Sequence, residues 1–396
     1  MPDRDHELTA ILRRARRVFA KNFGATDRLI AQRSAFAVGM RQNSFFLRAM
    51  QENFAKHFLG CELYRNHCLK HGFEPKDIKS YEDIWKIPYI FVTVFKRNNL
   101  VTGPKDKVVI SLTSSGTGGE QSAIHLDARS LRRVRRLVFN ICRDYKITSR
   151  EKTNYLCFTY DPHIAKDLGT AFSDELLTNL TRSGKVHYAI KPDANGEWFL
   201  DKNACYDALE EFEKEGSAFR ILGFPAHTWE VLQGYVTERG RKLHFPAASL
   251  ILTGGGWKTL GDKMIPKDLF RRETADILGI PVSRIRDLYG MVEHGVPYIE
   301  CECGNMHVPI HSRVATRDPG SMEILPDGQR GIFHFLTPYL SSFPALSLVT
   351  TDIGYISHNC PCGRQAPVIN LEGRGGITRH KGCAIAALDI LEDKVK

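Results

Sequence analysis

Ser111-Leu112-Thr113-Ser114-Ser115-Gly116-Thr117-Gly118-Gly119-Glu120-Gln121 is the stretch from which the rest of the chain is read. It follows Lys107-Val108-Val109-Ile110, a run with the character of a buried strand end, and precedes a helical pattern that starts near Asp127. The small residues are therefore expected in a strand-to-helix turn, where backbone can wrap a phosphate. Gly116, Gly118 and Gly119 permit positive φ, so several N–H groups can point inward at an anion, and Ser114, Ser115 and Thr117 add hydroxyl donors. Two familiar phosphate loops do not match, since no Lys-Ser/Thr follows the last Gly and no G-x-G-x-x-G is present. A plain surface loop is the alternative for a Gly-rich run taken alone.

At 396 residues the chain is long for one compact core, which favours one large unit plus a smaller one. Hydrophobic content of 42% and charged content of 25% fit a soluble protein. No apolar run approaches a membrane span, and Met1 to Ala10 carries charges where a signal peptide needs an apolar stretch, so a cytoplasmic location is expected. The ten cysteines are then reduced thiols, read as metal ligands or nucleophiles before disulfides. The net charge of +10 is concentrated in Arg13, Arg14, Arg16, Arg17 and in Arg132, Arg133, Arg135, Arg136. Both runs have helical spacing and no interleaved aromatic platform, so they read as solvated helix faces rather than nucleic-acid contacts. An acidic protein partner stays open.

Residues 1–105 read as a helical segment, with Leu47, Met50, Phe54, Phe58, Cys61 and Cys68 recurring at three- and four-residue spacing; Ile84 to Phe95 reads as a Pro-broken connector. Residues 106–290 alternate strand and helix, with strand-like runs at Val108–Leu112, Tyr155–Thr159, Val186–Ile190, Phe219–Gly223, Leu250–Thr253 and Arg284–Leu288. That alternation predicts an α/β fold with a mostly parallel, doubly wound sheet whose ligands bind beyond the carboxyl ends of the strands. Thr253-Gly254-Gly255-Gly256 and Tyr289-Gly290 fall at such ends. Residues 291–373 turn to short strands, turns and cysteines, a smaller β-rich unit, and 374–396 form a tail ending in a short helix from Ala384.

SSGTGG near 115, TGGG at 253–256, YGMVEHG at 289–295, TTDIG at 350–354 and GRGG at 373–376 follow the order seen in adenylate-forming enzymes, which this chain resembles. More narrowly, TSSGTGG, LTGGGWK, the paired Cys-x-Cys motifs and the ending GR…RHKGC are similar to the acyl-protein synthetase subunit of the bacterial fatty-acid reductase, the LuxE type, over roughly residues 80–396. The resemblance implies that a carboxylate attacks the α-phosphate of ATP, giving acyl-AMP and pyrophosphate. It places Ser114 to Gly119 on the β- and γ-phosphates, and Gly254 to Gly256 with Tyr289 around the adenine. It assigns Glu293 to Mg²⁺, Asp352 to the ribose hydroxyls and Arg374 to the end of the large domain near the nucleotide. Only 22 residues follow Arg374, so the full mobile lid of the familiar enzymes, with its lysine, is expected to be absent. Lys381 is the candidate cation in its place.

In the LuxE type a cysteine in the position of Cys383 takes the acyl group as a thioester and presents it to an acyl reductase partner. The local residues suit that role. Arg379, His380 and Lys381 precede Cys383, and a helix start favours negative charge; both lower a thiol pKa from about 8.5 and raise the thiolate fraction. A packed helix-start cysteine is the alternative. Cys301-Glu302-Cys303-Gly304 and Cys360-Pro361-Cys362-Gly363 are two tight pairs that suit a structural Zn²⁺, with His307 able to replace one thiolate and His311 a weaker candidate. One cysteine of each pair is a possible spectator, and reduced core thiols are the alternative. Two rival functions remain beside the carboxylic acid:protein ligase: an acid:coenzyme A ligase of the phenylacetate type, which is similar in its cysteine pattern, and a zinc-stabilised nucleotide-binding scaffold subunit. Trp257 and His294 are candidate linings for the acid.

Overall fold

The computed structural model describes residues 2–96, 100–113, 123–161, 176–193, 195, 198–257 and 264–374. Ser114, Ser115, Gly116, Thr117, Gly118 and Gly119, as well as Lys381, Cys383 and the expected terminal helix, lie outside the described residues. Helices α1 (Pro2–Asn22), α2 (Ala25–Ile30), α3 (Met40–Gly60) and α4 (Glu62–Lys70) open the chain, followed by the two-residue strand β1 (Ile90–Phe91). Strands β2 (Val108–Thr113) and β3 (Ala123–Asp127) precede α5 (Ala128–Asp144). Then come β4 (Lys152–Tyr160), β5 (Arg182–Pro192), β6 (Trp198–Leu200), α6 (Lys202–Glu215), β7 (Ala218–Gly223), α7 (Pro225–Arg239), β8 (Leu250–Gly254), α8 (Lys267–Leu278) and β9 (Ile285–Tyr289).

The run from β4 to β9 forms the predicted sheet. Its order is β10-β9-β8-β7-β4-β5-β6, where β10 is Tyr298–Ile299, and the pairs β9·β8, β8·β7, β7·β4 and β4·β5 are parallel. Side chains alternate between two cores as a strand's two-residue period requires. Tyr155, Cys157, Leu250 and Leu252 enter the larger core with Leu137 and Ile141 of α5. Leu156, Phe158, Ile221 and Ile251 enter a second core with Leu209 of α6, Val231 of α7 and Ile277 of α8. Both faces are buried, which is why these strands read as apolar runs rather than as an alternation. Each large side chain so buried contributes about 1.5–3 kcal/mol.

The expectation for the glycine-rich stretch needs correction. No helix follows it directly: β3 intervenes and pairs antiparallel with β2, with Thr113 opposite Ala123, so residues 114–122 join two strands of a separate two-stranded sheet. Val108–Leu112 is accordingly not a member of the parallel sheet. Ile124 and Leu126 enter the main core, while His125 Nδ1 lies 2.8 Å from Ser111 Oγ across the pair. The helix begins only where the Asp127 carboxylate can accept from Ser130 N at 2.7 Å and satisfy an unpaired donor of the first turn.

After residue 290 the chain builds a second sheet from β11 (Met306–His307), β12 (Arg313–Arg317), β13 (Ile324–Leu325), β14 (Gly331–Leu336), β15 (Ser347–Ser357) and β16 (Val368–Arg374), ordered β11-β16-β15-β14-β12-β13. It also recruits β1, which lies parallel to β15 with Ile90 opposite Leu348 and Phe91 opposite Val349. One core therefore joins Phe46, Phe54 and Phe58 of α3 to Phe333, Phe335 and Leu348 of this sheet. Cys61 and Cys68 are packed in that core, where burial pushes both thiols up, as inert thiols should be. The arginine runs are largely exposed on α1 and α5, but Arg133 is buried and pairs with Asp27 at 2.6 Å. Among the described residues no helix is long and apolar enough to cross a membrane.

Candidate active site

Among the described residues, those of the later motifs converge at the carboxyl ends of β8 and β9. Thr253 and Gly254 close β8, and Gly254 sits in register with Leu288, one residue before Tyr289. A Cβ on Gly254 would lie 2.8 Å from the Leu288 carbonyl oxygen, so the close approach of the two strand ends requires glycine there. Gly255 and Gly256 continue in the left-handed region, at φ 76° and 67°, which turns the chain away from the sheet. The Tyr289 hydroxyl donates to Asp352 Oδ2 at 2.7 Å and so links the end of β9 to β15. Asp352 in turn faces Arg374 across the antiparallel pair β15·β16. Gly254, Tyr289, Asp352 and Arg374 are thus consecutive neighbours although they are far apart in sequence. Gly290 is exposed beside them.

Behind this row lies an aromatic and polar cluster of which the sequence reading named Tyr289, Glu293 and His294 but not Tyr298, Ser312 or Phe335. Met291 to Gly295 forms a turn closed by the Gly295 N–H to the Met291 carbonyl at 2.8 Å; it carries Glu293, which is only 5% exposed, and His294, which is fully buried. The His294 ring stacks on Tyr298 at 5.8 Å with an interplanar angle of 3° and contacts Phe335 at 4.9 Å. Tyr289 packs against the same two rings, at 6.0 and 6.1 Å. A hydrogen-bonded chain runs from His294 Nε2 to the Tyr298 hydroxyl at 2.8 Å and on to Ser312 Oγ at 2.7 Å. Tyr298, Ser312 and Phe335 therefore support both Tyr289 and the turn bearing Glu293. Trp257, the other residue expected to line an acid pocket, packs against the core on the α6–α8 side.

Burial holds His294, and likewise His57 and His311, neutral down to about 3. His311 is the clearest case, because both ring nitrogens are buried with no hydrogen-bond partner among the described residues and Arg313 adds repulsion to burial. Its folded value lies below the unfolded value of about 6.5, so the unfolded state binds the extra proton and stability is lost as pH falls from 6.5 towards 3. Replacing His311 by Leu is expected to improve stability relative to wild type by about 2 kcal/mol more at pH 5 than at pH 7. Denaturant unfolding at the two pH values measures this, and an equal difference at both would refute it.

The cysteine pairs meet at the junction of the two sheets. Cys301, His307, Cys360 and Cys362 bring one ligand atom each to within 4.8 Å of all the others. Cys301 Sγ and Cys360 Sγ are 3.6 Å apart, near the roughly 3.8 Å edge of a tetrahedron with 2.3 Å metal–sulfur bonds. His307 Nε2 is 3.2 Å from Cys362 Sγ, and its Nδ1 lies 2.9 Å from the Ala366 carbonyl, an arrangement in which Nδ1–H donates and Nε2 faces the thiolates. Four soft donors in this array fit Zn²⁺. Cys303 does not join them: it is exposed, and only its backbone N–H reaches Cys301 Sγ, at 3.4 Å. His311 also lies outside the group.

Comparison with known proteins gives the family and the fold. The model of the family described as acyl-protein synthetase, LuxE, matches residues 18–392. The long-chain-fatty-acid–luciferin-component ligase of Vibrio harveyi is 24% identical over 349 residues, covering 87% of this chain and 88% of that one. Its counterpart in Aliivibrio fischeri is 24% identical over 368 residues, covering 88% and 89%. Among solved structures, 2-hydroxyisobutyryl-CoA ligase in the postadenylation state superposes with a TM-score of 0.67 at 14% identity, over 87% of this chain and 71% of that one, a likeness of fold.

Proposed function

The chain belongs to the LuxE family of acyl-protein synthetases, which are adenylate-forming ligases, and from that premise we propose that it activates a long-chain fatty acid with ATP and transfers the acyl group to its own Cys383. A carboxylate oxygen of the acid bonds to the α-phosphorus as the bond to pyrophosphate breaks, giving acyl-AMP. The Cys383 thiol gives its proton to solvent, the thiolate attacks the acyl carbon, and the carbon–oxygen bond to AMP breaks. An acyl reductase partner then takes the acyl group from sulfur. The observation that carries the reading is the Tyr289–Asp352 hydrogen bond at the shared strand ends, beside the glycines after β8.

In this scheme Ser114 to Gly119 cradle the β- and γ-phosphates, Gly254 to Gly256 and the Tyr289 ring frame the adenine, and Asp352 accepts from the ribose hydroxyls. Arg374, across the strand pair from Asp352, and Lys381 supply positive charge near the phosphates. Glu293, a buried hard oxygen donor next to these strand ends, suits Mg²⁺, which neutralises phosphate charge when bound. Zn²⁺ on Cys301, His307, Cys360 and Cys362 is structural, pinning β11 to the loop before β16. No step of the reaction passes through it.

Incubation with ATP, Mg²⁺ and labelled tetradecanoate is expected to give a hydroxylamine-labile acyl group on the peptide containing Cys383, read by mass spectrometry. In a parallel incubation with coenzyme A added, a coenzyme A thioester formed with no acylated protein would replace this reading with the acid:coenzyme A ligase. Tyr289→Phe keeps the ring and removes the donor that orients Asp352. A hydrogen bond to a charged group is worth about 1.5–3 kcal/mol, so the KM for ATP should rise roughly 10-fold or more. An unchanged KM in pyrophosphate exchange would show that the hydroxyl does not orient the carboxylate.

A further inference from the structure

At the amino ends of the inner strands of the parallel sheet lies a cavity of about 150 Å³ that the scheme above does not use. It is bounded by the first residues of the strands, Thr153 of β4, Ala218 of β7 and Leu250 of β8, and by Arg284 just before β9. Gly254 and Tyr289 close the other ends of β8 and β9, about 15 Å away along five-residue strands. The cavity is therefore separate from the nucleotide site.

Its lining is cationic. Lys146, Arg220 and Arg284 face it, and Glu151, on the exposed side, is the one acidic residue among them. Arg220 is only 6% exposed. It donates through Nη2 to the Ile147 carbonyl and lies over the Tyr155 ring at 5.9 Å, and neither contact neutralises its charge. Among the described residues none of the three cations has a carboxylate within ion-pair distance. Burial lowers the Arg220 pKa and nearby Arg284 adds to that, which is the strain expected of a guanidinium held out of water without a counter-ion. The Thr148 and Ser149 hydroxyls also line the space. Two or three positive charges, one fixed and buried, with neutral donors around several waters' worth of volume, match a multiply charged oxyanion.

We propose that this cavity is an anion-binding site that takes a phosphate-type oxyanion between Arg220, Arg284 and Lys146. Inorganic phosphate and pyrophosphate share the chemistry and are tested as separate probes. Each is titrated by calorimetry into the full chain at constant ionic strength set with chloride. Ser115→Asp, which places a carboxylate in the proposed phosphate loop, is expected to bind one equivalent saturably as wild type does, and the double variant Lys146→Glu/Arg284→Glu at least 10-fold more weakly. Lys146 is exposed and Arg284 half-buried, and the double variant's fatty-acid-dependent ATP–pyrophosphate exchange should persist, which separates loss of the site from loss of the fold. The proposal is overturned if wild type binds neither probe, if chloride competes equally, if the double variant binds unchanged, or if binding disappears in Ser115→Asp, which would place the anion in the nucleotide site.

Discussion

Cys383→Ser protein should retain fatty-acid-dependent ATP–pyrophosphate exchange and lose the hydroxylamine-labile acyl label. Exchange reports only the first half-reaction, in which no sulfur takes part. The second half needs a nucleophile that is ionised near neutral pH. A thiol beside Arg379, His380 and Lys381 meets that need, and each unit by which its pKa is depressed corresponds to about 1.4 kcal/mol of preference for the thiolate. A serine hydroxyl in the same place stays protonated, so the label should fall by about 100-fold or more. Full labelling of the serine variant would assign the acceptor elsewhere. Loss of exchange together with label would mean that Cys383 itself also serves adenylation.

The second large effect is expected from the metal group. Purified protein should contain one equivalent of zinc, measured by mass spectrometry of the metal. The double variant Cys360→Ser/Cys362→Ser should contain none. Structural zinc binds with apparent free energies of about 10–16 kcal/mol in small peptides, against a net stability of about 5–15 kcal/mol for a whole domain. Even a third of that binding energy would lower the melting temperature of a 396-residue chain by roughly 4–6 °C. Cys303→Ser is the matched control: its side chain is exposed and outside the group, so metal content should be unchanged and stability should move by less than about 0.5 kcal/mol. Zinc-free wild-type protein, or equal melting temperatures for the two variants, would show that the cysteines are packing thiols.

The central sheet was readable because its strands are buried on both faces and so appear as compact apolar runs, Leu250-Ile251-Leu252 above all. β3 was not. Ala123-Ile124-His125-Leu126 is too short to display a period, and its partner β2 pairs with it across the very residues that suggested a strand-to-helix turn. β1 has two residues and exists only because β15 is there to receive it. Tyr289 and Asp352 could be named from motif order, but the hydrogen bond between residues 63 apart in sequence belongs to the tertiary fold. The same holds for the His294–Tyr298–Ser312 chain, whose hydroxyl members carry no signal in a sequence. In the cysteine pairs, spacing could not decide which thiols point inward; burial separates Cys301 from Cys303.

The pairing of Ile90–Phe91 with Leu348–Val349 has a consequence for biosynthesis. Nearly 260 residues separate the partners, so at about 5–20 residues per second the ribosome needs roughly 13–50 s to deliver the second after the first. Through that interval an aromatic segment that ends up buried has nothing to dock on, and its neighbours in α3 lack the far wall of their core. Nascent chains stalled before residue 340 should therefore recruit chaperones at residues 84–95, and the last quarter of translation is the window in which the N-terminal helices become protease-resistant.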